Sequence, residues 1–372
     1  MSGITPIVMP KWGLSMKEGT VTAWLVEEGT EITVGMPILD VETDKIANAV
    51  EAPDPGLLRR KIANEGDLLP VKSLLGVMGG DDVSDADIDA YIASYVTPVA
   101  DDDGEDAGPA YLYTEVDGIR IRYARKGAES GTPVVFIHGY GGDLDNWLFN
   151  IDAVGEKSPV IALDLPGHGQ SGVKLPGASI AALGAFVSKF LNAIDVKRAH
   201  LVGHSMGAAI ASQVALDDPQ RVASLTLIGS AGLGAEINSD YTTGFATAPS
   251  RRELKPVLEM LFADPSLVSR QLVDDVLKYK RLDGVEALLV ELGTALFSGN
   301  KQSEQPGLKL ASNGTDKRVL VIWGREDRII PFAHASNAPS DSTVEIFDGA
   351  GHMAMMERAN DVNRLIIRHV GA

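Results

Sequence analysis

The chain has 372 residues, 45% of them hydrophobic, and a formal net charge of −18. That length suits two or three domains with well-buried cores. The acidity argues against nucleic acid as a partner, because phosphates require a basic surface. Cysteine is absent, which excludes disulfides, thiolate metal sites and cysteine nucleophiles, and no metal site is expected. The N-terminus passes from Met1-Ser2-Gly3-Ile4-Thr5 directly into a strand pattern, without the basic start and apolar run of a signal peptide. No stretch reaches the eighteen or so apolar residues that span a membrane, so the expected compartment is the cytoplasm.

Over the first eighty residues one phrase occurs twice. Glu28-Gly29-Thr30-Glu31-Ile32-Thr33-Val34 returns as Glu65-Gly66-Asp67-Leu68-Leu69-Pro70-Val71, with Glu, Gly, an aliphatic and Val at the same spacing. Internal repetition of this kind implies two similar short-stranded halves folded onto each other. Between them lies Val41-Glu42-Thr43-Asp44-Lys45-Ile46-Ala47, and Pro53-Asp54-Pro55-Gly56 marks the next turn. An isolated hairpin lysine would be an ordinary solvated charge. Within a repeated half-barrel, a lysine flanked by Asp44 and Ile46 resembles the attachment site of a lipoyl domain. The related biotinyl domain places its lysine between two methionines, which this chain does not. The resemblance implies a flattened all-β barrel over residues 1–80, with lipoate covalently on Lys45.

Residues 81–111 read as an acidic, flexible linker. Asp81, Asp82, Asp85, Asp87 and Asp89 precede Asp101, Asp102, Asp103, Glu105 and Asp106, with no lysine or arginine between Lys72 and Arg120. Such a block repels itself and buries little apolar surface. A short patterned piece, 88–96, allows a turn or two of helix before Pro98.

From residue 112 onward, short apolar runs alternate with helix-length segments. Pro133-Val134-Val135-Phe136-Ile137 leads into His138-Gly139-Tyr140-Gly141-Gly142, and Ala199-His200-Leu201-Val202 leads into Gly203-His204-Ser205-Met206-Gly207. Continuous apolar runs predict a parallel sheet covered on both faces. These motifs resemble the α/β-hydrolase family over nearly all of residues 112–372. In that resemblance Ser205 is the nucleophile at a strained strand-to-helix elbow. His352, in Asp348-Gly349-Ala350-Gly351-His352-Met353, is the base, and Asp327, in Trp323-Gly324-Arg325-Glu326-Asp327-Arg328-Ile329-Ile330, is the acid that orients it. Glu326 and Asp348 are rivals for the acid, with surface charge as their simpler reading. The backbone N–H groups of Tyr140 and Met206 would form the oxyanion hole.

Residues of about 232–307 interrupt the sheet pattern with amphipathic helices, where the family carries a cap. Arg251, Arg252 and Lys255, with Lys278, Lys280 and Arg281, form local basic clusters there. They could meet the phosphates of coenzyme A, although solvated helix faces are the simpler reading.

A lipoyl domain joined to an α/β-hydrolase domain resembles the acetyltransferase components of acetoin dehydrogenase complexes. The resemblance implies acetyl transfer from S-acetyldihydrolipoyl-lysine to coenzyme A. It also implies thiamine-diphosphate-dependent acetoin dehydrogenase subunits and dihydrolipoamide dehydrogenase as partners, and leaves homo-oligomer formation open. The sequence has no convincing peripheral-subunit-binding domain. Two alternatives remain open: a thioester or ester hydrolase carrying a lipoyl domain, and a non-catalytic docking scaffold for the lipoyl arm.

Overall fold

The computed structural model describes residues 3–12, 16–43, 47–52, 54–80, 82–98 and 111–371. It divides into two compact units, Met1–Pro109 and Ala110–Ala372. Among the described residues, no helix is long and apolar enough to cross a membrane.

The first unit contains strands β1 (Ile4–Val8), β2 (Glu18–Trp24), β3 (Glu31–Ile32), β4 (Pro37–Glu42), β5 (Ala47–Glu51), β6 (Gly56–Lys61), β7 (Leu68–Pro70) and β8 (Leu74–Gly79). They form two antiparallel four-stranded sheets, in the orders β1-β8-β6-β3 and β5-β4-β2-β7. Exchanging β1–β4 for β5–β8 maps one order onto the other, so the repeated phrase is a repeated fold. Gly29 and Gly66 both take positive φ, at 85° and 91°, a backbone state that glycine adopts without a Cβ penalty. Each donates its N–H across the barrel over 2.7 Å, Gly29 to the Leu58 carbonyl and Gly66 to that of Val21. Val21, Ile38, Leu39, Val41, Leu58 and Leu75 fill the space between the sheets.

The stretch expected to be a linker from residue 81 departs from that reading. Helix α1 (Asp85–Ser94) starts on Ser84, whose side chain accepts from the Asp87 N–H. Ile88 is fully buried and clusters with Val77 and Val83, and Ile4, Tyr91 and Ile92 pack against that cluster. Arg59 donates to the carbonyls of Gly80 and Val83, each over 2.9 Å, and to Asp85 over 3.0 Å. The Tyr95 hydroxyl donates to the Lys72 carbonyl. Ile88, Tyr91, Ile92 and Tyr95 sit at i, i+3, i+4 and i+7, one face of a helix, and this stripe outweighs the repulsion of the aspartates on the other face. Residues 99–110 lie outside the described residues.

The second unit begins with strands β9 (Leu112–Val116), β10 (Ile119–Gly127) and β11 (Val134–Ile137), then α2 (Ile151–Gly155), β12 (Pro159–Leu163), α3 (Ile180–Ala193), β13 (Ala199–His204), α4 (Met206–Asp217) and β14 (Val222–Ile228). Helices α5 (Ser239–Thr247), α6 (Arg251–Leu258), α7 (Arg270–Lys280) and α8 (Val285–Leu296) follow, then the small hairpin β15 (Phe297–Ser298) and β16 (Lys301–Gln302). The chain closes with α9 (Pro306–Asn313), β17 (Arg318–Gly324), β18 (Thr343–Phe347), α10 (Ala354–Glu357) and α11 (Ala359–Val370). The sheet order is β18-β17-β14-β13-β11-β12-β10-β9. Strands from β18 to β12 run parallel, while β10 and β9 are antiparallel additions at one edge. In such sheets, ligands bind beyond the carboxyl ends of the strands, and the connections after β11, β13, β17 and β18 carry the predicted site. Helices α5 to α8 and the β15–β16 hairpin are inserted between β14 and β17, where the cap was expected.

Candidate active site

Ser205 stands between the last residue of β13 and the first of α4, with φ 54° and ψ −119°. A non-glycine residue held at positive φ stores strain and marks a site where the fold over-determines the backbone. The neighbouring glycines explain how so sharp a turn fits. A Cβ on Gly203 would lie 2.4 Å from the Gly207 carbonyl oxygen, and one on Gly207 would lie 2.1 Å from that of Ile137. The Ser205 N–H donates to the Ile228 carbonyl and its own carbonyl accepts from Ala231, so β14 pins the elbow in place. Ser205 retains 9% of its surface exposed, which leaves the residue reachable but nearly dry.

Asp327 and His352 meet. His352 Nδ1 lies 2.8 Å from Asp327 Oδ2, and both side chains are essentially buried. The carboxylate is fully occupied: Oδ2 also accepts from Trp323 Nε1 over 2.9 Å, and Oδ1 accepts from the N–H groups of Ile329 and Ile330. These bonds fix the carboxylate's orientation, which in turn holds the imidazole through Nδ1. The two rivals are engaged elsewhere. Glu326 accepts from the N–H groups of Gly349 and Ala350, and Asp348 pairs with Arg325.

His204 packs its ring against that of His352, with centroids 4.7 Å apart. Its Nε2 lies 3.0 Å from the His352 carbonyl oxygen. Desolvation, then the neighbouring His352, push the His204 pKa well below 6.5, so it stays neutral. His138 is likewise neutral, its pKa lowered to about 4 chiefly by burial. Its Nε2 accepts from the Leu165 N–H, and Nδ1 faces the Gly139 carbonyl.

The glycine loop approaches Ser205 closely. A Cβ on Gly139 would sit 3.0 Å from the Ser205 Cβ. Met206 is the first residue of α4, where a helix leaves its N–H without an intrahelical acceptor. Tyr140 follows Gly139 directly, which brings both expected oxyanion donors to the Ser205 end of the sheet. A buried ion pair, Arg122 Nε to Asp164 Oδ2 at 2.6 Å, anchors the segment that follows the loop. Asp164 also accepts from the N–H groups of Leu144 and Gln170.

Sequence reasoning missed several supporting groups. Trp323, Glu357 and the Arg122–Asp164 pair were not singled out: Arg122 and Asp164 are 42 residues apart and Glu357 reaches back 94 residues to Ala263, while Trp323 bonds within its own strand-end turn. Glu357 accepts from Gly351 and from Ala263 of the cap region, each over 2.7 Å, so one carboxylate ties the His352 loop to the cap. The basic clusters are smaller than the sequence suggested. Arg251 is paired with Asp274, and Lys280 is buried, donating to the Phe245 and Ala248 carbonyls at the end of α5. Arg252, Lys278 and Arg281 are exposed. A separate cavity of about 360 Å³, lined by Glu236, Asn238, Asp240 and Arg328 among others, touches Asp327 but not Ser205.

In the first unit, Glu42 and Ala47 form the last register pair of β4 and β5. Residues 43–46 are all that joins them, and Asp44, Lys45 and Ile46 lie outside the described residues.

Comparison with known proteins fits both units. Residues 132–359 match the family model for the alpha/beta hydrolase fold, and residues 5–78 match the biotin-requiring enzyme model, which covers biotinyl and lipoyl domains. The chain is 62% identical over 368 residues to the dihydrolipoyllysine-residue acetyltransferase component of the acetoin cleaving system from Cupriavidus necator, spanning 99% of this chain and 98% of that one. It belongs to this acetyltransferase family. The corresponding component from Pseudomonas putida is 46% identical, with the same coverage. A 2-hydroxy-6-oxononadienedioate/2-hydroxy-6-oxononatrienedioate hydrolase from Cupriavidus pinatubonensis is 31% identical over 72% of this chain and 96% of its own length. The protein is thus an acyltransferase built on an α/β-hydrolase fold, with a lipoyl-type domain ahead of it.

Proposed function

We propose that the protein transfers an acetyl group from an S-acetyldihydrolipoyl thioester to coenzyme A within an acetoin-cleaving complex, by way of an acyl-enzyme on Ser205. The observation that carries this reading is the buried Asp327–His352 pair together with a strained Ser205 at the strand-to-helix elbow, in a chain that also brings its own lipoyl-type unit. Lipoate on Lys45 would supply a thiol able to carry the acetyl group as a thioester. The short connection between paired Glu42 and Ala47 suits such an attachment.

His352 takes the proton of the Ser205 hydroxyl, which is otherwise a weak nucleophile. The Ser205 oxygen bonds to the thioester carbonyl carbon, and the N–H groups of Tyr140 and Met206 stabilise the oxyanion. The carbon–sulfur bond then breaks and the departing thiolate takes the proton from His352. In the second half His352 accepts the proton of the coenzyme A thiol. The sulfur attacks the acetyl-serine, and the returning proton restores the Ser205 hydroxyl. Asp327 keeps the imidazole oriented and stabilises its charged form throughout. A donor tethered to the same chain meets this site at an effective concentration of roughly millimolar. The partners in this reading are thiamine-diphosphate-dependent acetoin dehydrogenase subunits, which load the acetyl group, and dihydrolipoamide dehydrogenase, which reoxidises the dithiol.

A second reading, hydrolysis with water as acceptor, draws on the resemblance to the hydrolase from Cupriavidus pinatubonensis. The purified, lipoylated chain given acetyl-dihydrolipoamide with and without coenzyme A separates the two. Acetyl-coenzyme A formed only with the acceptor present supports transfer, and acetate formed equally in both supports hydrolysis. No turnover in either would leave a scaffold role and overturn both. Intact mass of Lys45→Ala, made alongside a lipoylating system, should lack the lipoyl increment found in the parent.

A further inference from the structure

The side chain of Tyr140 points away from the nucleophile and into the cap. Its hydroxyl donates to the Leu289 carbonyl of α8 over 2.6 Å, across 149 residues of sequence. Tyr140 is 6% exposed, and burial keeps its phenol protonated by raising its pKa. The cap is shaped to receive it. Gly293 lies inside α8, where glycine is unfavourable, and a Cβ there would come within 2.9 Å of the Tyr140 hydroxyl. Phe245 of α5 and Phe297 of β15 meet the ring edge-on, at centroid distances of 5.9 and 5.6 Å. The next loop residue, Gly141, has φ 73°, and a Cβ there would lie 2.1 Å from the Phe245 ring. Two consecutive residues of the glycine loop are therefore seated in the cap, while the preceding Gly139 abuts Ser205.

A second tyrosine makes a comparable bond on a different loop. Tyr279 of α7 donates to the Gly167 carbonyl over 2.8 Å. It joins cap to core through residue 167 and not through residues 139–141.

We infer that the Tyr140 side chain is a positioning residue that makes the oxyanion hole a property of the docked cap. The phenol clamps the loop between α5 and α8, and its own N–H is thereby set toward the carbonyl attacked by Ser205. When the cap lifts, the donor leaves with it, so acyl transfer proceeds only beneath a closed cap. This inference rests on the reading of the Tyr140 and Met206 N–H groups as the oxyanion donors.

The test uses the full lipoylated chain with acetyl-dihydrolipoamide and coenzyme A, and methylboronic acid as a probe that forms a tetrahedral anion on serine. Tyr140→Phe removes the hydroxyl and keeps the ring. Gly293→Ala crowds the same hydroxyl while favouring the helix, so a loss there cannot come from a weaker α8. Both should lower kcat about tenfold to a hundredfold, less than the roughly hundredfold to thousandfold cost of losing an oxyanion donor outright, because the donor is displaced and not removed. KM for the donor should stay within about twofold, and boronate affinity should fall with kcat. Tyr279→Phe, which removes a cap–core bond elsewhere, should leave boronate affinity near that of the parent. Unchanged boronate affinity in Tyr140→Phe and Gly293→Ala overturns the inference, as does an equal loss in Tyr279→Phe. Ser205→Ala is run beside them: if it retains transfer, the acyl-enzyme reading fails, whereas an inactive Ser205→Ala beside an unimpaired Tyr140→Phe removes this inference alone.

Discussion

The first unit is one four-strand plan used twice, with its expected chemistry confined to a single lysine in a four-residue connection. The second draws Ser205, Asp327, His352 and the glycine loop from separate strand ends, and its candidate site exists only where those ends converge. A repeated scaffold can tolerate change almost anywhere that keeps its symmetry. An assembled site is exposed to change at every support. The two units should therefore respond very differently to substitution and to pH.

The largest effect belongs to the assembled site. Ser205→Ala should reduce acetyl transfer from a free donor on the order of 10⁵-fold, and His352→Ala similarly. The double variant should lose little more than either alone, because the residues act as a unit. Transfer rates multiplying down in the double variant would contradict a shared site. Next comes Arg122→Met, which strands the fully buried Asp164 without its partner. Removing one member of a buried pair costs about 3–5 kcal/mol. Urea unfolding should show that loss in the second unit and leave the first unit's transition in place.

Acid separates the units further. All seven histidines lie in the second unit. Burial lowers the pKa of His138 to about 4 and of His168 to about 3, and that of His204 falls well below 6.5. Folded, these groups hold fewer protons than in the unfolded chain. Their contribution is complete above about pH 6.5 and is lost as pH falls toward 4, at up to about 1.4 kcal/mol per pH unit for each. Asp164 and Glu357, raised by burial, act in the opposite sense. Urea midpoints at pH 7, 6 and 5 should fall for the second unit and stay nearly level for the first. A parallel decline in both would contradict this account.

The smallest effect probes the symmetry itself. Gly29 and Gly66 have matching positive φ, and an added Cβ at either would meet nothing within 4 Å. Alanine at each position should therefore cost only the backbone strain, about 1 kcal/mol, and the two values should agree. A large inequality, measured by thermal unfolding of the first unit, would mean that the halves are alike in sequence but not in energetics.

Much of this was legible beforehand because it is local. The elbow needs glycines on both sides of Ser205, and the repeat places Gly29 and Gly66 at the same point of each half, so short windows of sequence reveal them. Asp327 was readable from its strand-end context, but the four hydrogen bonds that hold its carboxylate depend on Trp323, Ile329, Ile330 and His352 converging in space. The Tyr140–Gly293 fit was not readable at all. A glycine inside a helix announces a close approach without naming what approaches. Helix α1 was undervalued for a different reason: its aspartates dominate composition, while Ile88 and its three neighbours on one face decide where it packs.

That helix also determines where the chain can be divided. A gene segment ending at residue 80 would sever Ile88, Tyr91 and Tyr95 from the surface they cover and leave Val77 and Ile4 open to solvent or to another molecule. Extending the segment through residue 98 preserves that cover. As a transplantable module, the lipoyl-type unit is therefore the barrel together with its helix, and the seam between the parts of this protein lies beyond the point where the β-structure ends.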